Sequence, residues 1–248
     1  MVSNNDQITN RKKLFKVYYS SESFLENLVL PPQVNFHHFR CEIFSNDKII
    51  YRKVKNIIRN KEEIQKILTK WAPKHIFYTP TQWLDPVNLR KGTDKTVSDV
   101  LLSCPLYFDI DSNSIKKSIL FSKKLIDAIF DEYSKKPDQI IFSGRRGFHI
   151  YYWDWEDIDF NILNPAKRIE KFTQTRERII KDLISKNVEV DSTVTSDPWR
   201  ILRLPGTLHG VTGLAAIPII NFDYTSMIKR AKVLPKEAYS GLKGIIEF

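Results

Sequence analysis

The sequence predicts an α+β fold: an α/β module over residues 1–100 beside a module over residues 101–248 ordered β-α-β-β-α-β. Three observations predict it. Apolar runs of strand length at residues 106–111, 139–142 and 148–153 alternate with two long segments of helical periodicity. The tip Gly144, Arg145, Arg146, Gly147 joins two of those runs as a hairpin. Asn164 and Pro165 open the second periodic segment, and proline suits the first turn of a helix. No repeat, low-complexity tract or Pro/Gly/Ser linker divides the 248 residues, so the two modules read as one structural unit.

In chain order, the polar residues 1–11 lack the apolar core of a secretory signal. Residues 35–40 and 48–52 read as paired strands turning near Ser45, Asn46 and Asp47. Asn60 caps a predicted helix ending at Trp71, with Ile64, Ile67, Leu68 and Trp71 on one face. The run at 106–111 is a buried strand. The helix after it reaches Tyr133, with Ile115, Ile119, Ile126, Ile129, Phe130 and Tyr133 at helical spacing. Lys136, Pro137 and Asp138 turn the chain into 139–142. In the second helix Ala166, Ile169, Phe172, Ile180 and Leu183 form the apolar face, and residues 188–220 read as strand-rich. Such an order folds as a small sheet with helices packed on one side.

A hydrophobic content of 42% with 27% charged residues excludes a disordered chain. The longest apolar stretches, such as 214–220, are far too short to span a bilayer, so the cytoplasm is the default location. Lys and Arg outnumber Asp and Glu 39 to 29, and the resulting +10 suits a polyanionic partner, nucleic acid or nucleoside triphosphate. Cys41 and Cys104 are too few for a thiolate zinc site, and His37 and His38 stand too close to Cys41 for a spaced knuckle. Both cysteines read as ordinary reduced thiols, and no zinc is expected.

Three clusters carry chemistry. Asp109 and Asp111 lie two apart on a predicted strand and so share a face; adjacent carboxylates repel unless a cation lies between them, and hard oxygen ligands suit Mg²⁺ or Mn²⁺. Ser143, Gly144, Arg145, Arg146, Gly147, Phe148 and His149 place two arginines between two glycines, with a serine and a histidine on the flanking strands. Glycine admits a close ligand, and guanidinium forks match phosphate oxygens. Asp191, followed by Arg200, Arg203 and His209, adds a third acid and further donors. Two metals about 3.5–4 Å apart need several shared oxygens to clamp a phosphoryl displacement.

Taken together and in this order, the clusters resemble the archaeo-eukaryotic primase superfamily. Its Asp-x-Asp strand is matched by Asp109 and Asp111, its Ser-x-x-Gly-x-His type hairpin by Ser143 to His149, and its later acid and Arg/Lys-Pro-Ser/Thr-His stretch by Asp191 and residues 203–209. The resemblance covers roughly residues 36–220. It implies an RRM-like catalytic sheet packed beside the N-terminal α/β module, around a single active site. It also implies that Asp109, Asp111 and Asp191 ligate the two catalytic metals, Mg²⁺ or Mn²⁺. Ser143, Arg145, Arg146 and His149 would line the incoming nucleotide, Arg203 and His209 its triphosphate, and Arg52 would add a basic nucleotide contact. The implied activity is primer synthesis and extension on a single-stranded DNA template from nucleoside triphosphates.

The sequence departs from that family in lacking a zinc-knuckle cysteine set and a helical subdomain before the third acid. It is similar in size to plasmid, viral or CRISPR-associated primase-polymerases, and its motifs differ from those of the ligase-associated repair polymerases. Arg200, Lys53 and Lys55 are candidates to hold a second triphosphate during initiation. Three other classes fit the residues less well: a non-catalytic single-strand-binding module, an extension-only polymerase and a metal-dependent nucleotide phosphohydrolase. Ribo- and deoxynucleotides are both compatible with the motifs.

Overall fold

Alternation along the strands sets the layers of the protein. The computed structural model describes residues 4–46, 48–90, 100–155, 158 and 164–239; the expected turn residue Asp47 lies outside them. Two antiparallel sheets form. The first is built from β1 (Phe39–Ile43), β2 (Ile50–Lys53), β3 (His75–Tyr78) and, from much later in the chain, β9 (Leu202–Arg203), in the order β2-β1-β3-β9. A short pair, β4 (Gln82–Trp83) and β5 (Leu101–Ser103), follows β3. The second sheet has the order β10-β7-β8-β6, from β6 (Leu106–Ile110), β7 (Gln139–Phe142), β8 (Phe148–Tyr152) and β10 (Ile217–Ile219).

In the second sheet β8 is antiparallel to both β6 and β7 and separates them. This is a split β-α-β unit with α4 (Ile115–Tyr133) as its crossover. β10 pairs with β7, which leaves β6 at the sheet edge. Phe108 and Ile150 face Leu125 and Ile129 of α4 and Ile179 and Leu183 of α5 (Pro165–Ser185). Their neighbours Tyr107, Ile141 and Tyr151 belong to a second cluster that includes Cys41, Ile76 and Tyr78 of the first sheet. Strand period two thus buries both faces of the second sheet, one under helices and one toward the first sheet.

The helices follow their sequence signals. Ser114, Asn60 and Asn164 cap α4, α3 (Lys61–Trp71) and α5 by accepting the N–H groups of Lys117, Glu63 and Lys167. The buried stripe of α4 is Ser118, Ser122, Leu125 and Ile129, whereas Phe130, expected inside, is 45% exposed. The other expected residues, Ile115, Ile119, Ile126, Ile129 and Tyr133, pack against the two cores, and Ser118 and Ser122 join that face although they are polar. Residues 188–220, expected to be strand-rich, form only α6 (Ser192–Thr195), β9, β10 and loops. Residues 35–40 start as a 3₁₀ turn at Val34–Phe36, where neutral His37 donates to one of the Thr79 and Pro32 carbonyl oxygens and a His38 ring nitrogen lies 2.7 Å from that of Pro86.

Two N-terminal helices, α1 (Asn4–Tyr19) and α2 (Glu22–Asn27), have no counterpart among the expected elements. In α1 the buried residues Phe15, Tyr18 and Tyr19 hold helical spacing inside a basic, polar segment. Cys41 and Cys104 are buried free thiols, and burial pushes the Cys41 thiol up to about 12. No helix among the described residues is long and apolar enough to cross a membrane.

All five histidines are buried, and burial lowers the pKa of each, His38 to about 4 and His149 to about 3. An unfolded chain binds protons at these residues below its ordinary histidine pKa, and the folded chain does not. Stability therefore falls as pH drops through about 6.5, by up to about 1.4 kcal/mol per pH unit for each histidine. Asp109, whose pKa is raised, works in the opposite sense over about pH 4–6, but it is one group against five. Denaturant titrations at pH 7, 6 and 5 are expected to show a falling midpoint; equal midpoints would mean the histidines accept protons in the fold.

Candidate active site

The register of β6 against β8 sets Asp109 opposite His149. The His149 Nε2 lies 3.7 Å from Asp109 Oδ1, and Arg200 Nη2 lies 3.6 Å from Asp109 Oδ2. Burial raises the Asp109 carboxyl to about 6, Arg200 opposes that shift, and Asp111 and Asp191 add to it. A half-buried carboxylate raised in this way gains from a nearby cation. Asp111 falls one residue past the strand, where Arg146 donates from Nε to its Oδ1 at 2.9 Å and from Nη2 to its Oδ2 at 3.5 Å. Asp191 precedes α6, and its Oδ1 accepts the Thr193 N–H and hydroxyl.

Two cavities meet at these carboxylates. The larger, about 750 Å³, has Asp109, Asp111, Asp191 and Arg200 on its wall. The smaller, about 210 Å³, has Asp109, Asp111, Ser143, Arg145, Arg146, His149, Arg200, Arg203 and His209. Four arginines against two carboxylates give the smaller cavity the charge that a polyphosphate requires. His149 Nδ1, Arg200 Nε and Arg203 Nε are buried without a hydrogen-bond partner among the described residues.

Local structure holds these donors in place. The hairpin tip between β7 and β8 closes with the Ser143 N–H on the Gly147 carbonyl, and Thr212 donates to the Gly144 carbonyl at 2.6 Å. Gly144 has φ +87°, and a Cβ there would lie 2.9 Å from the Leu214 carbonyl oxygen; at Gly147 it would lie 2.8 Å from the Ile110 oxygen. Both glycines are needed to seat the arginine tip between the acidic strand and the loop that carries His209.

Arg203, on β9, pairs with Phe77, its guanidinium lying 5.3 Å from that ring. It also donates to His75 Nδ1, which accepts the Gly210 N–H at 3.2 Å as well. Burial lowers Arg203 to about 10, so it stays charged at neutral pH. His209 Nδ1 accepts the Val211 and Thr212 N–H groups at 3.2 and 3.3 Å, and burial keeps the ring neutral. Its proton therefore sits on Nε2, leaving a donor for the cavity it lines.

Sequence reasoning missed several residues. His75 and Phe77 share a face of β3 and back Arg203. From α1, Arg11 donates to the Gly210 carbonyl at 2.8 Å, Tyr18 to the Gly206 carbonyl at 2.9 Å, and Tyr19 accepts the Leu208 N–H at 3.2 Å. The aromatic spacing of α1 was the available signal.

Arg52 is not brought to the cluster. It pairs with Cys41 on the helix side of the first sheet and lies over Trp71 of α3 at 6.0 Å, because period two turns it away from the face that carries Phe77 and Arg203. Nor do Arg200, Lys53 and Lys55 converge as a second triphosphate site. Arg200 sits on Asp109, Lys53 donates to the Leu89 carbonyl, and Lys55 lines a separate groove.

The hard carboxylate oxygens fit Mg²⁺ or Mn²⁺ in kind. Even so, no three His, Cys, Asp or Glu side chains among the described residues are drawn together as a finished metal centre. Arg146 on Asp111 and Thr193 on Asp191 hold two of the acids in other bonds.

Acids on a sheet edge facing an arginine-lined pocket define a centre suited to nucleotidyl transfer. The DNA primase small subunit PriS of Pyrobaculum calidifontis is 28% identical over 253 aligned residues, covering 83% of this chain and 76% of that protein. The Archaeoglobus fulgidus PriS is 23% identical over 295, covering 92% and 84%. The polymerase domain of Mycobacterium tuberculosis Ligase D, solved with DNA, aligns with a TM-score of 0.54 at 12% identity, over 96% of this chain and 90% of that one. At that identity the likeness shows the fold alone. No family model matches the chain. The similarity to DNA primase small subunits over most of their length supports a place in the archaeo-eukaryotic primase superfamily, and so among nucleotidyltransferases of the primase-polymerase class.

Gly144→Ala is expected to lower stability by about 1–3 kcal/mol, because alanine is strained at that φ and meets a backbone carbonyl. The same shift moves the tip against His209, so the KM for nucleotide rises. Thermal unfolding and nucleotide titration check both, and a variant with both values unchanged would remove the tip from the site.

Proposed function

We propose that the protein synthesises and extends primers on single-stranded DNA, joining nucleoside triphosphates at the junction of the two cavities. The observation that carries the reading is that Asp109, Asp111 and Arg200 wall both cavities, with Asp191 in the larger and the arginine pocket in the smaller. In this reading Asp109, Asp111 and Asp191 hold Mg²⁺ or Mn²⁺. When bound, the metal supplies charge neutralisation between the attacking and leaving oxygens. The two modules, residues 1–100 and 101–248, work as one unit around this site, in the cytoplasm with template and nucleotides.

The primer 3′-hydroxyl attacks the α-phosphorus, an O–P bond forms, and the bond to pyrophosphate breaks. The chain's own part is placement and charge. Arg145, Arg203 and the His209 Nε2–H bind the phosphates. Ser143 and the neutral His149 hold the nucleotide beside Asp109. Arg200, between the cavities, keeps Asp109 aligned and faces the developing charge. Arg146 orients Asp111. No side chain acts as a nucleophile.

Asp109→Ala, Asp111→Ala and Asp191→Ala are each expected to abolish incorporation of labelled nucleotide in a folded protein. Chelator is expected to abolish it in the wild type. A gel assay on primed and unprimed single strands reads this out. Near-normal extension by one variant would remove that residue from the site, whereas strand binding without any incorporation would favour the binding-module reading.

Template binding is expected to weaken steeply with salt, by about 0.7 in log K per log salt for each phosphate neutralised. Anisotropy titrations at several salt concentrations measure the slope. A flat line would assign the +10 charge to something other than template.

A further inference from the structure

On the helix side of the first sheet, away from the acids, a groove of about 420 Å³ runs between the end of β2 and the last turn of α3. Ile67 and Trp71 form its apolar side, and Arg52 and Lys55 its basic side, with no carboxylate among the described residues of its wall. Trp71 is half-buried, and the Arg52 guanidinium lies 6.0 Å from its ring centre. Lys66 and Lys70 flank Ile67 and Trp71 in sequence and are exposed. The described residues of the proposed centre do not use this groove.

We propose that this groove is a second contact for the single-stranded template, taking an unstacked base against Trp71 and the flanking phosphates on Arg52 and Lys55. Cations beside one aromatic ring, without convergent donors for a particular base, suit sequence-independent binding of a strand. A triphosphate would need donors converging on one point, as in the smaller cavity. The fold also supplies a route. Arg203, Phe77, Arg40 and Lys53 are cross-strand neighbours in register, so they share the site-facing side of the sheet. Arg40 lies 4.8 Å from the Tyr51 ring, which is 44% exposed on that same face. Three strand spacings of about 4.8 Å separate Arg203 from Lys53, about 14 Å in all. Because β2 is the edge strand, its consecutive residues Lys53 and Arg52 face opposite sides where a strand leaving the site would pass over the edge. The groove therefore lies a few nucleotides from the reacting centre.

This inference rests on the reading that the protein copies a single strand, and the test separates the two. A fluorescein-labelled thymidine 20-mer is titrated by anisotropy at several salt concentrations into wild type, Arg52→Ala/Lys55→Ala, Trp71→Leu and Trp71→Phe. The double variant is expected to lose about 1.4 from the slope of log K against log salt, about 0.7 for each lost phosphate contact. Trp71→Leu is expected to bind about tenfold more weakly at an unchanged slope, while Trp71→Phe, which keeps a ring and guards against misfolding, stays near wild type. The KM for nucleotide on a primed template too short to reach the groove is expected to be the same for all. If wild type binds and extends while the double variant and Trp71→Leu match it, the groove proposal fails alone, and a docked protein segment becomes the better occupant. If wild type neither binds the strand nor incorporates nucleotide, both readings fail.

Discussion

A two-residue strand holds the site together. Leu202 and Arg203 leave the second half of the chain to pair with Tyr78 and Phe77, and the Leu204 N–H extends that pairing to the Ile76 carbonyl. Without this crossing the arginine pocket would have no wall on the side of the first sheet. The pairing half-buries Arg203, and a partly desolvated guanidinium gains from being matched. His75 accepts from it, the Phe77 face lies beside it, and the Asp109 charge supports it. The loop that follows is then pinned from α1 by Arg11, Tyr18 and Tyr19. A helix at one end of the chain thus positions His209 near the other.

Burial also decides what the histidines can do. His149 and His209 are kept neutral by desolvation and by neighbouring arginines, so they offer directed donors and leave the positive charge to the guanidinium groups. The carboxylates show the complementary pattern, since Asp109 is raised by burial and by its acidic neighbours. Cations on one side and carboxylates on the other suit a ligand that carries negative phosphates together with a divalent metal.

Much of this was legible in the sequence where the signal was local. The acidic strand, the arginine hairpin, the caps at Asn60 and Asn164, and the α+β order all depend on neighbours within a few residues. What was hidden depends on distant pairing. Residues 188–220 were read as strand-rich because of their apolar content, yet loops there satisfy long-range partners such as Tyr18 and Tyr19. Arg52 looked like a nucleotide contact by its place in the chain, but alternation within β2 turned it toward Trp71. In α1 the aromatic stripe was masked by its basic, polar context, and in α4 two serines share the buried face with Leu125 and Ile129.

The central claim is that the three aspartates and the arginine pocket form one metal and nucleotide site, and Mn²⁺ binding tests it most directly. Electron paramagnetic resonance titrations with Mn²⁺ and dATP would compare wild type with Asp109→Asn, Asp111→Asn, Asp191→Asn and Arg203→Ala. The account predicts nucleotide-enhanced Mn²⁺ binding in wild type, loss of Mn²⁺ binding in each aspartate variant, and loss of only the dATP enhancement in Arg203→Ala. Equal Mn²⁺ binding in wild type and all three aspartate variants would contradict it.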